Sequence, residues 1–494
     1  MTLATSHFAD DSAASRRLLP LWIGIGVYAL LLVAGNGLLN DPDTLWQVTV
    51  GQWIIDHRAV PHTDVYSFTM QGQPWISTQW LAQVAYAISY ALAGWAGPVV
   101  LAAAALAATF ALYARFLGAR LTESATLVFA AAALALMAPH MLARPHVLAM
   151  PVMVAWVGGL VAAADRRQAP SFWLLPLIAL WANLHGGFVL GVALVAPLAL
   201  DAVLNAPAQA RLGLLARWAA FGLAALAMAC ITPYGWESLL ASRKILSLGA
   251  ALATITEWRP ADFSSIGALE LCLLFGFGLV LLRGITLPPI RILLLLGLTH
   301  MALNHDRNLE VLALLAPLIL AAPLSRQIGA AAPAGQAKLS GTLVAGLALL
   351  LLAGTAAFAS LHPLQPRAGI SPEAAVAELK QLGLQRVFND YDFGGYLIAN
   401  GVAPFIDGRT ELYGEQFVVD QNNAIRLKPP EKMFQMLDDY KIEATLLRTG
   451  DAVTKLLDHV DGWRKVYADD IAVIHLRDPA AVHSAAPRIV PQAR

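Results

Sequence analysis

The sequence predicts a polytopic α-helical membrane protein of about 11 transmembrane helices, with a small extracytoplasmic α/β domain at its C-terminal end. Three observations lead there. Of 494 residues, 58% are apolar and 13% charged, against about 45–50% and 25% in soluble domains, and the mean hydropathy is +0.60. The apolar residues gather into runs near the roughly 20 residues that cross a bilayer core as a helix. From about residue 365 charged residues become frequent, and short β-rich stretches alternate with helical ones, the pattern of a small α/β domain. The net charge of +0 leaves no basic field to hold nucleic acid. Cys230 and Cys272 both fall in apolar runs, which argues against a disulfide framework or a multi-cysteine metal site.

The chain is expected to begin with a cytoplasmic segment, residues 1–17, and to enter the membrane at 18–38. That run is long and lacks an A-x-A cleavage site, so it reads as an uncleaved anchor. The transmembrane domain covers 18–364, with further spans near 98–116, 122–138, 146–164, 171–184, 187–204, 214–232, 266–283, 289–303, 309–324 and 341–360. Loop charge alternates along it. Arg16, Arg17, Arg115, Arg120, Arg166, Arg167, Arg211, Arg217, Arg283, Arg291, Arg326 and Lys338 fall on one side. Arg58, Arg144, Arg243, Lys244, Arg259 and Arg307 fall on the other. Twelve against six places the first set in the cytoplasm, provided that residues 80–92 lie along the surface. Their polar stripe of Gln83, Tyr86, Ser89 and Tyr90 at helical spacing suits an interfacial helix. Trp46, Trp53, Trp75, Trp80, Trp95, Trp181, Trp236 and Trp258 all fall on the outer side, which marks that face as the elaborated one.

Residues 327–339, rich in Ala, Gly and Pro, read as a flexible cytoplasmic connection, 365–479 as the extracytoplasmic domain, and 480–494 as a loose tail. Within that domain Ser371-Pro372-Glu373 reads as N-cap, N1 and acidic first turn of a helix to about Gly383. Strands are expected at 386–389, 404–406, 444–448, 465–468 and 471–476, with helices near 411–420, 430–440 and 451–459.

The first outer loop, 39–97, is chemically the richest segment. It opens Asn40-Asp41-Pro42-Asp43-Thr44-Leu45-Trp46-Gln47. Two carboxylates two residues apart could bind a divalent cation such as Mg or Mn, or one could act as a general base. Thr44-x-x-Gln47 matches a capping box, so Asp43 also reads as a carboxylate that neutralises a helix N-terminus. Asp41 has only a turn before Pro42 to account for it, and Pro61-His62-Thr63-Asp64 reads as a turn.

The other outer loops are polar as well. Residues 139–146 carry Arg144 and His146, and Trp181 to Gly187 carry His185. The loop 232–265 carries Glu257 and Arg259, and 304–308 carry His305 and Arg307. Each of these alone also reads as a turn or snorkelling group. Together they outline an anion-facing cavity, since arginine is the natural partner of phosphate. In the C-terminal domain Asp407-Gly408-Arg409-x-Glu411-x-Tyr413 stands out. Either Asp407 and Arg409 pair locally at a turn, or this loop helps to close over substrate. Gly394-Gly395 permits close backbone packing. Asp201, Glu270 and Glu310 fall near span ends, which argues against ion-coupled transport. No GxSxG, HExxH, Walker A or CxxC pattern is present.

A first span, an outer loop opening on an acidic pair, surface-lying helices, many spans and a C-terminal outer domain together resemble the GT-C glycosyltransferase superfamily. Asp41-Pro42-Asp43-Thr44-Leu45-Trp46-Gln47 lies where that family carries its acidic loop motif. Phe393-Gly394-Gly395-Tyr396-Leu397 and Phe405-Ile406-Asp407-Gly408-Arg409-Thr410-Glu411-Leu412-Tyr413-Gly414 resemble segments of a large group of bacterial membrane proteins of this type. The resemblance implies transfer of a sugar from a polyprenyl-phosphate carrier, among membrane lipids, to an envelope acceptor on the outer face of a bacterial inner membrane. It makes Asp41 the residue that activates the acceptor. The loop 139–146 departs from oligosaccharyltransferase-like members in lacking a second acidic motif. That departure argues against a metal site, for which Asp41 and Asp43 would be the ligands, and points to Arg144, Arg259 or Arg307 to neutralise the leaving phosphate instead. Two other functions suit the same residues: an envelope lipid transporter or flippase, and a non-catalytic envelope assembly protein.

Overall fold

In hydrocarbon a lone apolar segment can satisfy its backbone only as a helix, and every expected span is helical in the computed structural model. The structure describes residues 3–246, 248–249, 256–329 and 341–478. Lys338, most of the 327–339 connection and the 480–494 tail lie outside the described residues. Among the described residues, six helices are long and apolar enough to cross a membrane: Leu18–Leu39, Ala96–Gly118, Glu123–His140, Pro145–Asp165, Ala208–Ala229 and Asp306–Ile328. Phe172–Leu184, Phe188–Leu204, Pro289–Asn304 and Ala345–Leu361 are apolar but shorter, and Ala268–Arg283 is a further helix. The protein is thus a multi-pass membrane protein.

The chain forms two compact units. The first comprises Met1–Leu38, Ala96–Leu239 and Glu257–Leu364; the second comprises Leu39–Trp95, Leu240–Thr256 and Gln365–Arg494.

The first unit is a helical bundle. Thr122 caps Glu123–Met137 by accepting from Ala125 N at 3.3 Å, and Pro145 opens Pro145–Asp165 where a missing N–H costs nothing. That helix is the most enclosed, and Gly158 shows why: a Cβ there would lie 2.6 Å from the Phe116 ring. Arg291, expected among the loop markers of orientation, is instead only 4% exposed. Its guanidinium donates to Asp201 Oδ2 at 3.0 and 2.9 Å, to Asp165 Oδ1 at 2.5 Å and to the Ile319 carbonyl at 2.7 Å. Arg120 completes the group, 3.1 Å from Asp165. A charge among apolar helices must be paired where it sits, so Arg291 ties helix ends together instead of reaching for solvent.

The second unit holds a four-stranded sheet in the order β1-β2-β4-β3. Its strands are β1 (Val387–Asn389), β2 (Ala444–Arg448), β3 (Trp463–Ala468) and β4 (Ala472–Arg477). β1 and β2 are parallel, and the other pairings antiparallel. Ala375, Val376 and Leu379 of the helix Glu373–Gln381 cover one face, against Val387, Leu446 and Ile474.

Three local expectations fail here. Residues 404–406 are not a strand: Asn389 Oδ1 accepts from Phe405 N at 2.7 Å, and Asn389 Nδ2 donates to the Ile406 carbonyl at 2.8 Å, so one side chain satisfies what a ladder would have. Ser371 is not the N-cap, a place taken by Pro372 without a side-chain bond, and the Ser371 hydroxyl is buried without a partner. The helix expected near 411–420 is split at Gly414, whose φ of +79° only glycine adopts freely, into Thr410–Tyr413 and Glu415–Ile425.

Leu39–Trp95 belongs to this second unit and is built on two packed helices, Asp43–His57 and Trp80–Ala93. The expected capping box is absent. Asp41 Oδ1, not the Thr44 hydroxyl, holds the helix start by accepting from Asp43 N at 2.8 Å. Gln47 is buried and accepts from Gln83 Nε2 at 2.8 Å, and Gln83 in turn accepts from Ser77 Oγ at 2.8 Å.

Candidate functional site

Each unit gathers its polar residues around arginine. In the first unit the centre is Glu257, on the one-turn helix Thr256–Trp258. Arg144, the residue preceding Pro145–Asp165, donates Nη1 to Glu257 Oε2 at 2.7 Å and Nη2 to Oε1 at 3.5 Å. Arg307 donates Nη1 to Glu257 Oε1 at 3.3 Å while its guanidinium lies 4.3 Å over the Trp258 ring. Burial, the largest influence, pushes the Glu257 carboxyl up, but Arg144 and Arg307 outweigh it and hold it down at about 2. The carboxylate is therefore ionised at any physiological pH.

His146 and His185 stand beside it, ring centroids 6.1 Å apart. His146 Nε2 donates to the His140 carbonyl at 3.2 Å and lies 3.5 Å from Glu310. His185 Nδ1 accepts from Gly187 N at 3.1 Å, which makes it the neutral tautomer protonated at Nε2. Of the residues expected here from sequence, Arg144, His146, His185, Glu257 and Arg307 come together. His305 serves the scaffold, its Nδ1 donating to the Trp258 carbonyl at 2.7 Å. Arg259 is exposed, and only its backbone joins in, accepting from Asp306 N at 3.0 Å. Glu310 was passed over as a span-end charge, though its place three residues after Arg307 puts both on one helical face.

The second unit's cluster is closed. Arg409 is fully buried, donating Nε to Asp407 Oδ1 at 2.8 Å, Nη2 to Asp407 Oδ2 at 2.7 Å and Nη1 to Asp64 Oδ1 at 2.5 Å. Tyr413 donates its hydroxyl to Asp407 Oδ2 at 2.7 Å. Trp75 and Tyr66 present ring faces 4.8 and 5.2 Å from the guanidinium. The local Asp407–Arg409 pair is therefore as expected, and the sequence missed Asp64. Next to it, Trp75 Nε1 donates to Glu411 Oε1 at 3.0 Å, and burial raises the Glu411 carboxyl above its usual range.

Asp41 and Asp43 are held by the same segment. Asp43 Oδ1 accepts from Trp46 Nε1 at 2.9 Å. A Cβ on Gly408 would come within 1.8 Å of that oxygen, and a Cβ on Gly395 within 2.2 Å of the Pro42 carbonyl. The two glycines let the backbone of residues 394–408 lie directly on the acidic turn. Each carboxylate already takes an N–H donor, and among the described residues no three His, Cys, Asp or Glu are grouped to hold a metal ion.

No protein-family model matches the chain, and no curated protein matches it. Solved structures do. The archaeal oligosaccharyltransferase AglB from Archaeoglobus fulgidus, in complex with an inhibitory peptide and a dolichol-phosphate, superposes with a TM-score of 0.51 at 12% identity, over 96% of this chain and 75% of that one. The apo form of the Archaeoglobus fulgidus oligosaccharyltransferase gives 0.50 at 12% identity, over 87% and 69%. At this identity the likeness is one of fold alone, shared with the two oligosaccharyltransferase structures.

Proposed function

We propose that the protein is a membrane glycosyltransferase that moves a sugar from a polyprenyl-phosphate carrier to an envelope acceptor, glycan, lipid or protein, on the outer face of a bacterial inner membrane. The observation that carries this is the convergence of Arg144 and Arg307 on one carboxylate-sized anion position, in a chain whose fold is similar to that of an oligosaccharyltransferase. AglB was solved with a dolichol-phosphate bound, a ligand of the same chemistry.

In the transfer, an acceptor hydroxyl oxygen bonds to the anomeric carbon while the bond from that carbon to the carrier phosphate oxygen breaks. The hydroxyl proton passes to a carboxylate, and the electron pair of the broken bond stays on the phosphate. The transition state is oxocarbenium-like. Arg144 and Arg307 lie ready for the charge that grows on the phosphate, and preset charge of this kind is often the largest catalytic contribution. Asp41 is the carboxylate assigned to the acceptor. Its Oδ1 accepts from Asp43 N, the first residue of the helix Asp43–His57.

The phosphate-binding half of this assignment stands on the first unit alone and the acceptor-activating half on the second, so each has its own test. Mass spectrometry of lipids co-purifying with the protein is expected to find a polyprenyl-phosphate sugar. Asp41→Asn is expected to lower transfer in membranes about 10²–10⁴-fold, the usual loss on removing a general base. Near-full activity in Asp41→Asn removes Asp41 from that role. Movement of the lipid across liposomes without transfer would instead mark a flippase.

A further inference from the structure

We propose that Glu257 is a built-in stand-in for the phosphate: in the resting protein its carboxylate fills the slot between Arg144 and Arg307, and a phosphate ester binds by displacing it. This rests on the assignment of those arginines to phosphate and adds how the slot is kept until substrate arrives.

Three observations support displacement over a fixed ion pair. The geometry is the fork that a guanidinium makes equally to carboxylate and phosphate. Arg144 uses both terminal nitrogens, at 2.7 and 3.5 Å, and Arg307 adds a third contact at 3.3 Å. A guanidinium takes a phosphate oxygen as readily as a carboxylate oxygen, so a phosphate monoester or diester at the same place is at least as good a counter-ion. The slot is open, with the Glu257 side chain 23% exposed and those of Arg144 and Arg307 16% and 24%. Finally, neither Arg307 nor the turn depends on the carboxylate for its place. Arg307 lies on the Trp258 ring, and the Trp258 carbonyl is pinned by His305 Nδ1 at 2.7 Å. Rotation of one side chain thus empties the slot while its walls remain.

The arrangement has a purpose that follows from charge. Two arginines without a counter-ion at a membrane protein's surface would attract any anionic headgroup. A tethered carboxylate excludes weak anions and yields only to a ligand that gains from contacts elsewhere as well. Its cost is a reduction in apparent affinity by the fraction of time that the slot is occupied.

The test is binding of farnesyl phosphate to the full-length protein in detergent, measured by calorimetry. Glu257→Gln keeps size and shape but gives up most of the attraction to the arginines, and it is expected to bind roughly 3- to 30-fold more tightly than the wild type. Equal or weaker binding by Glu257→Gln overturns the inference, because a residue that helped to hold the phosphate would show that sign. Arg307→Ala and Arg144→Ala are expected to weaken binding at least about tenfold, the scale of a lost charge-assisted contact. If both bind as the wild type does, the phosphate assignment itself fails, whatever Glu257→Gln does. A second measurement needs no variant: carbodiimide labelling of Glu257 in the wild type, followed by peptide mass spectrometry. Added farnesyl phosphate is expected to raise it, and unchanged or reduced labelling counts against displacement.

Discussion

The two arginine clusters are built from the same groups and are opposite in kind. Around Arg409 two aspartates meet one guanidinium, all three side chains are fully buried, and the aromatic faces of Trp75 and Tyr66 close the remaining sides. Around Glu257 two guanidinium groups meet one carboxylate, and all three remain partly exposed. The first is sealed and acid-rich, so it offers an incoming ligand neither access nor unmet charge; what it does is hold segments of chain together. The second is partly exposed, and an anion can reach it. Burial, more than the presence of arginine, separates a clamp from a binding site.

The largest effects should come from breaking the clamp. Arg409→Ala strands Asp64 and Asp407 in a dry interior, which is expected to cost about 3–5 kcal/mol, seen as loss of folded protein or a steep fall in the thermal midpoint. Arg307→Ala, at a partly exposed pair, is expected to cost no more than about 1 kcal/mol while it weakens anion binding at least about tenfold. If the two variants melted alike, the distinction drawn here would fall.

Next in size are the glycines beneath the acidic turn. Gly395→Ala forces a backbone carbonyl to move and is expected to cost about 1–3 kcal/mol. Gly408→Ala meets the end of the Asp43 side chain first and Trp46 Nε1, at 3.1 Å, behind it, so its effect should shrink in an Asp43→Ala background. Thermal unfolding of the two single variants, the double variant and the wild type measures that coupling, and additive losses would show that Gly408 acts elsewhere.

A smaller effect is the pH dependence of the open cluster. Glu257 is held at about 2 against an ordinary 4.5. Between those values the unfolded chain carries more protons than the folded one. The contribution of Glu257 to stability is therefore complete above pH 4.5 and is lost as the pH falls toward 2. Melting curves of Glu257→Gln should lack that slope. The smallest expected effect is that of chelation: EDTA should leave transfer unchanged, and a loss restored by Mg or Mn would return a cation to Asp41 and Asp43.

What could be read from the sequence was local. A run of 20 apolar residues becomes a helix wherever it lies, and Asp407 and Arg409, two residues apart, pair as their spacing suggests. What escaped depends on partners brought together by the fold. Gln47 looked like half of a capping box because Gln83, its actual partner, is 36 residues away. Residues 404–406 looked like a strand because nothing in them shows that Asn389 will satisfy their backbone. Arg291 looked like a solvated loop charge because Asp165 and Asp201 lie on other helices. At the candidate site the sequence brought Arg144, Glu257 and Arg307 onto one short roster but could not show that they share a single ion-pair network. It gave no hint of Asp64.

The bond between Asp64 and Arg409 spans 345 residues, and this has a consequence for biosynthesis. At ribosomal speeds of about 5–20 residues per second, roughly 17–70 s separate the two residues' emergence. Throughout that interval the acidic turn exists without the backbone that shapes it and without the cation that anchors its loop. A chain that stops short of residue 409 would carry the spans and the arginine slot but not the assembled turn. This loop is made early and finished late, so Asp41 and Asp43 reach their folded arrangement only once residues 394–409 have followed.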